Sequence, residues 1–317
     1  MSQPSPPPEN GPSGFIDGVR LAIGTLSVFP VRPGMVDRRA GGIAMVVAPL
    51  VGAAIGACGG LVSAISLWLG MTPLPASVLA VATVALLTRG LHLDGLADLA
   101  DGLGSAKPAE RALEIMKRSD IGPFGVVTLI LVLLVQVAAL QEAITDVGAG
   151  AAAIILVAAC TAGRLALTWA CRTGIPPARP DGLGAMVAGT VRRSVAVVVT
   201  ALVLAGTTAL VYLHGIDAFS PWTSGPSGEF GYFAYVDTTY VEAGDLTGIT
   251  DVIPVTGLGR FLAPWGLPLA MLLGLLAAWA VRRRAVRRLG GVTGDVLGAL
   301  VEIATATTLL ACTILTN

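Results

Sequence analysis

Long apolar runs separated by short polar ones fill most of this chain. The first clear run, residues 43–69, reads IAMVVAPLVGAAIGACGGLVSAISLWL. It exceeds the roughly 20 residues that carry a helix across a bilayer, so it must tilt, kink or fray. Pro49 is placed to kink it, and Gly52, Gly56 and Gly60 form a small-residue stripe suited to close helix packing. Further runs at 76–92, 124–141, 149–170, 194–213, about 263–281 and about 296–315 predict the remaining crossings. Residues 14–29 are less apolar, contain Asp17 and Arg20, and predict a short helix at the membrane surface that Pro30 and Pro33 end. The expected fold is therefore all-α: a polytopic membrane protein of about seven transmembrane helices plus a short N-terminal interfacial helix. The Pro- and Ser-rich residues 1–13 predict a disordered tail. Residues 14–317 are expected to form one membrane-embedded catalytic domain, interrupted by a polar insert at 214–262.

Composition agrees with this reading. The chain of 317 residues is 54% hydrophobic and 13% charged, with a mean hydropathy of +0.80. Soluble domains carry roughly 25% charged residues. The formal net charge of zero gives no bulk attraction to nucleic acid, so the bilayer is the expected large partner. Assembly into a homo-oligomer is left open. The four cysteines show no metal-like spacing and read as small packing residues in a reducing context.

The distribution of charge says more than its sum. Seven crossings with the N-terminus inside put every Lys and Arg except Arg260 at or near the inner face. This asymmetry predicts a bacterial cytoplasmic (inner) membrane protein with its active side in the cytoplasm and the insert outside. The inner face then gathers 93–122, 171–193 and 282–295, each carrying Gly together with Arg and Asp.

The chemistry concentrates in RGLHLDGLADLADGLGSAKPAERALEIMKRSDIGPFG, residues 89–125. Asp94, Asp98 and Asp101 are four and three residues apart, so they share one helical face. Three such carboxylates repel one another unless a cation neutralises them. Oxygen donors at this density suit a hard ion such as Mg²⁺, which is commonly shared with substrate phosphates. The alternative is a solvated acidic helix end. Asp295 and Glu302 are seven residues apart on one face of the last span, and packed against the first three acids they would complete a metal cage. A buried acid bonded to a neighbouring Ser or Thr is the plainer reading of that pair. Lys117, Arg118, Arg172 and Arg179 are candidates for gripping phosphates, in no order of preference. His92, two residues before Asp94, joins them as a candidate substrate contact, against the plainer reading of a structural hydrogen bonder.

LHLDGLADLADG followed by RALEIMKRSDIGPFG resembles the signature of the cobalamin synthase family, whose activity is adenosylcobinamide-GDP ribazoletransferase. LGGVTGDVLGALVE (289–302), ARPDGLG (178–184) and MVVAPLVGAAIG (45–56) are similar to that family's last, middle and first motifs. Residues 1–13 and 214–262 look like additions to it. The resemblance implies transfer of the adenosylcobinamide phosphate group from adenosylcobinamide-GDP to the 5′-hydroxyl of α-ribazole or its 5′-phosphate, with release of GMP. It implies Mg²⁺ on the acids named above, one of which, or Asp295, takes the hydroxyl proton. Where relatives read Met-basic-Asp-Ser-Arg, this chain reads Met116-Lys117-Arg118-Ser119-Asp120, with acid and Arg exchanged. A tight turn over 118–123 would let either order serve one site, and such a turn is the expectation.

Two rival functions are weighed. Asp-Gly-x-Ala-Asp is similar to the metal motif of CDP-alcohol phosphotransferases, but their D-G-x-x-A-R pattern is not met, which leaves a parallel in mechanism. A cation or metabolite transporter would place its acids near mid-membrane and show inverted repeats, whereas here they gather at one face.

Overall fold

A computed structural model of the chain describes residues 13–32, 34–218 and 265–315. The expected disordered tail, apart from Ser13, and the insert from residue 219 onward lie outside the described residues. Helices α1 (Phe15–Leu26), α2 (Arg38–Trp68), α3 (Pro73–Leu87), α4 (Leu91–Gly104) and α5 (Ala109–Ile115) come first. They are followed by α6 (Pro123–Ala170), α7 (Gly182–Val187), α8 (Arg193–Ala218), α9 (Gly266–Leu289) and α10 (Gly294–Leu315). Among the described residues there is no strand, only isolated bridges of Arg172 with Val191 and of Pro177 with Val292.

Among the described residues five helices are long and apolar enough to cross a membrane, or six if α3 and α4 together form one bent span. The expected seven need α6 to count twice. At about 1.5 Å per residue, its 48 residues would reach about 72 Å, more than twice the hydrocarbon core. Gly148, at φ 80° and ψ 170°, breaks the helix in the middle. Gln136 on the first arm bonds Glu302, and Gly163 on the second arm lies against Val301 and Thr305. Two residues about 40 Å apart in a straight helix thus meet the same turn of α10, so α6 is folded back on itself. Its arms are the third and fourth predicted spans.

The second predicted span, 76–92, needs correction. Helix α3 stops at Leu87, and the chain bends by 87° before α4 begins. Arg89 at φ 55° and Gly90 at φ 66° make the bend. Positive φ is ordinary for Gly and costly for Arg, so a sequence reader has no reason to place the break there. Arg89 is held in place by its Nη2, which donates to the Gly24 carbonyl at 3.1 Å. The three aspartates therefore lie on a helix of their own, α4, rather than at the end of the second span. Helix α8 also runs on past 213 to Ala218, into the predicted insert.

The small-residue stripe of α2 is where the second arm of α6 docks. A Cβ at Gly52 would lie 2.4 Å from the Cys160 carbonyl oxygen, and one at Gly56 2.7 Å from Val157 Cα. The start of α2 is set by Asp37, which accepts from Ala40 N–H at 2.7 Å and from Ser13 Oγ at 2.6 Å. These bonds hold the Asp37 carboxyl below the usual carboxylate range. Cys160, Cys171 and Cys312 are buried packing residues, as their apolar surroundings predict.

Candidate functional site

Helix α4 crosses the start of α10 almost backbone to backbone. A Cβ at Gly95 would sit 2.7 Å from the Asp295 carbonyl oxygen, and one at Gly298 would sit 3.2 Å from His92 Cα. This crossing places Asp94 and Asp98, one turn apart on α4, opposite Asp295 in the first turn of α10. Gly95→Ala should therefore force the two backbones apart. The expected loss is about 1–3 kcal/mol of stability together with most activity, read from a denaturation midpoint and turnover.

The loop 171–193 completes the site. Ala178 N–H donates to the Val292 carbonyl at 3.0 Å, and Val292 N–H donates to that of Pro176 at 3.0 Å. That pairing brings Arg179 to the start of α10. Arg38 Nη2 donates to the Ala188 carbonyl at 2.7 Å and Nη1 to that of Ala185, fixing α7. The result is a cleft of about 380 Å³ that Asp94, Lys117, Arg179, Asp181 and Asp295 line together with His92. Residues from 93–122, 171–193 and 282–295 meet in it.

Further along α4 lies a smaller recess of about 240 Å³, lined by Asp98, Asp101, Arg118 and Asp120. The turn falls earlier than the expected 118–123: Arg118 N–H bonds the Ile115 carbonyl at 3.1 Å and closes a turn at 116–117, the chain only bends over 118–120, and Pro123 already opens α6. Asp98 feels the negative charges of Asp94, Asp295 and Asp101, with Arg179 opposing them. Arg179 also donates from Nη2 to the Leu113 carbonyl at 2.6 Å, which ties α5 to the acids. Asp295 Oδ2 accepts from Thr293 Oγ1 at 3.2 Å, and Thr293 Oγ1 accepts from Val296 N–H at 3.2 Å.

Three expected site residues have other occupations. Asp101, 8% exposed, accepts from Gly122 N–H at 2.7 Å through Oδ2 and from Gly125 N–H at 2.9 Å through Oδ1. Both oxygens thus cap the start of α6. Glu302 is bonded by Gln136 Nε2 at 2.8 Å and lies in the field of Arg164. Its hydrogen-bond partner is an amide side chain, neither Ser nor Thr. Arg172 lines a separate cavity with Arg193 and Arg282 rather than the acidic cleft.

Behind the cleft runs a buried polar chain that the sequence reading missed. Arg164, 1% exposed, places Nη2 3.4 Å from His92 Nδ1 and Nη1 3.5 Å from the Cys160 carbonyl oxygen. Guanidinium nitrogens only donate, so His92 Nδ1 accepts and the ring proton sits on Nε2, which has no partner among the described residues. Arg164 and Gln136 in apolar runs were the available signal, since polar groups at membrane depth are costly without partners. Arg164→Met should strip the buried His92 Nδ1 and Cys160 carbonyl of their donor and cost about 1–3 kcal/mol, the range for leaving buried polar groups unsatisfied, as read from thermal unfolding.

Among the described residues no group of three or more His, Cys, Asp or Glu is placed to hold a metal ion. Mg²⁺ ordinarily takes only one or two carboxylates and completes its shell with water and substrate phosphates. Asp94 and Asp98, one helical turn apart, supply two hard oxygen donors, which fits an ion shared with a diphosphate.

The family model described as "Cobalamin-5-phosphate synthase" matches residues 18–313. The chain is 40% identical over 301 residues to the adenosylcobinamide-GDP ribazoletransferase of Frankia casuarinae, covering 92% of each chain. It is 34% identical over 296 residues to that of a Nocardioides species, covering 93% of this chain and 97% of the relative. Against that of Corynebacterium efficiens it is 31% identical over 307 residues, covering 96% of this chain and 94% of the relative. No solved structure matches the chain. A match of this extent, across every helix that builds the cleft, places the chain in the cobalamin-5-phosphate synthase family.

Proposed function

We propose that the chain transfers the adenosylcobinamide phosphate group from adenosylcobinamide-GDP to the 5′-hydroxyl of α-ribazole or α-ribazole 5′-phosphate. The products are GMP and adenosylcobalamin or its phosphate, which makes this a late step of cobalamin nucleotide-loop assembly. The observation that carries the reading is the meeting of Asp94 and Asp295 with Lys117 and Arg179 in one cleft. Cations for a diphosphate and carboxylates for a proton lie side by side there.

The ribazole hydroxyl oxygen bonds to the phosphorus on the corrinoid side. The bond from that phosphorus to the bridging oxygen breaks, and GMP leaves with that oxygen. Arg179 and Lys117 hold the diphosphate in line, and alignment is worth more here than covalent help. Asp295 keeps Oδ1 for the hydroxyl proton while Thr293 holds its Oδ2. Asp94 and Asp98 would hold Mg²⁺ together with substrate phosphates. When bound, that ion neutralises diphosphate charge and eases departure of the leaving phosphate. Asp101 acts by fixing α6 and the bend that carries Arg118.

A substrate panel on membranes containing the chain separates this reading from a lipid synthase. Adenosylcobinamide-GDP with α-ribazole should give GMP, while CDP-diacylglycerol with lipid alcohols should give no CMP. Release of CMP with an inert corrinoid donor would move the chain to the lipid reading. We place the cleft on the cytoplasmic side of the inner membrane, because nearly all basic residues gather there. A Ser227→Cys variant should then react with an impermeant thiol reagent in intact cells, and reaction only after lysis would invert the topology.

A further inference from the structure

A second cavity, of about 370 Å³, lies between the second arm of α6, α8, α9 and α10. Three arginines from three elements line it: Arg172 just past α6, Arg193 at the start of α8, and Arg282 in α9. Its lining contains no Asp or Glu. Arg282 is only 6% exposed and lies in the field of the like charge of Arg172. Among the described residues nothing accepts a hydrogen bond from any of these three guanidinium groups. Two unpaired cations side by side, one of them buried, are a costly arrangement unless an anion joins them.

The rest of the wall is hydrocarbon. Along α9 it runs from Leu272 through Leu276 to Trp279 and ends at Arg282. Leu272, Leu276 and Trp279 are 43%, 57% and 44% exposed, so the groove opens sideways onto the surface that faces lipid. From Leu272 to Arg282 is about 15 Å of helix. An occupant must therefore be anionic at one end and apolar for about that length at the other. Trp169 closes the inner side, its Nε1 donating to Thr200 Oγ1 at 2.9 Å.

We infer that this cavity binds one anionic phospholipid, with its phosphate held by Arg172, Arg193 and Arg282 and an acyl chain lying along Leu272, Leu276 and Trp279. A free phosphate or the phosphorylated ribazole would satisfy the arginines but leave the apolar wall without a purpose. The site borders the same loop 171–193 that carries Arg179 into the acidic cleft, but the two cavities share no lining residue. Basic pockets between membrane helices are suited to such headgroups.

The test uses full-length protein in mild detergent. Native mass spectrometry should find a phospholipid of anionic headgroup retained on the chain. After delipidation, phosphatidylglycerol should raise the melting temperature by several degrees, whereas phosphatidylcholine and inorganic phosphate should not. Arg282→Gln should lose that shift while keeping the KM for both substrates. Arg193→Gln, at an exposed position, should need about tenfold more phosphatidylglycerol for the same shift, and gives the answer even if Arg282→Gln fails to fold. Equal stabilisation by phosphatidylcholine would overturn the inference. So would a full shift from inorganic phosphate, or a raised KM for either substrate in Arg282→Gln, which would make this a substrate subsite.

Discussion

Asp98→Asn should lower turnover by about 10²–10³-fold, the range for removing one preorganised electrostatic group, without loosening the fold. Asp98 is surrounded by Asp94, Asp101 and Asp295 and opposed only by Arg179. Two carboxylates about 6 Å apart repel by about 3 kcal/mol at an effective dielectric of about 20. Asparagine keeps the shape and removes the charge, so the unliganded protein should melt at the same temperature or higher. Activity and stability therefore move apart, and this separates a functional carboxylate from a structural one. Turnover near the wild-type level would remove Asp98 from the machinery. A melting temperature that fell together with activity would assign it a packing role instead.

Arg118→Asp should have the second large effect. Arg118 shares its recess with Asp98, Asp101 and Asp120, so the change replaces its one cation with a fourth acid. Activity should fall almost to background. Asp120 lies in the same bend and lines the same recess, so the double change Arg118→Asp with Asp120→Arg returns the cation to within reach. It should recover much of the lost turnover. A double variant as inactive as the single would show that the two positions are not interchangeable. A fully active single variant would show that these charges are merely solvated.

Much of this architecture was legible in the sequence, because period and spacing are local properties. The stripe of Gly52, Gly56 and Gly60 announced a close helix contact, and the α2–α6 interface supplies it. The change of direction before Gly122-Pro123 was expected from the exchanged acid and arginine, although it is a turn at 116–117 followed by a bend at 118–120 rather than a turn over 118–123. The gathering of three polar segments in one cleft followed from the distribution of charge. What was not legible depends on partners distant in sequence. Asp101 shares its helix face with Asp94 and Asp98, yet its oxygens go to amides that become available only when α6 starts beside α4. Glu302 reads as a fifth acid of the cage until the fold-back at Gly148 brings Gln136 to it. Arg172 and Arg179 look equivalent along the chain, and only the two bridges of their loop send them to different cavities. The 87° bend rests on a left-handed arginine, which no propensity would have suggested.

The central claim is that this cleft exchanges GMP for ribazole on the corrinoid phosphate. The most direct measurement uses purified full-length protein in detergent, given adenosylcobinamide-GDP, α-ribazole and Mg²⁺, with GMP and corrinoid product quantified together over a single turnover. The account predicts that the two appear in equal amounts and only when acceptor, donor and metal ion are all present. GMP formed without α-ribazole, or no corrinoid product from protein that remains folded, would contradict it.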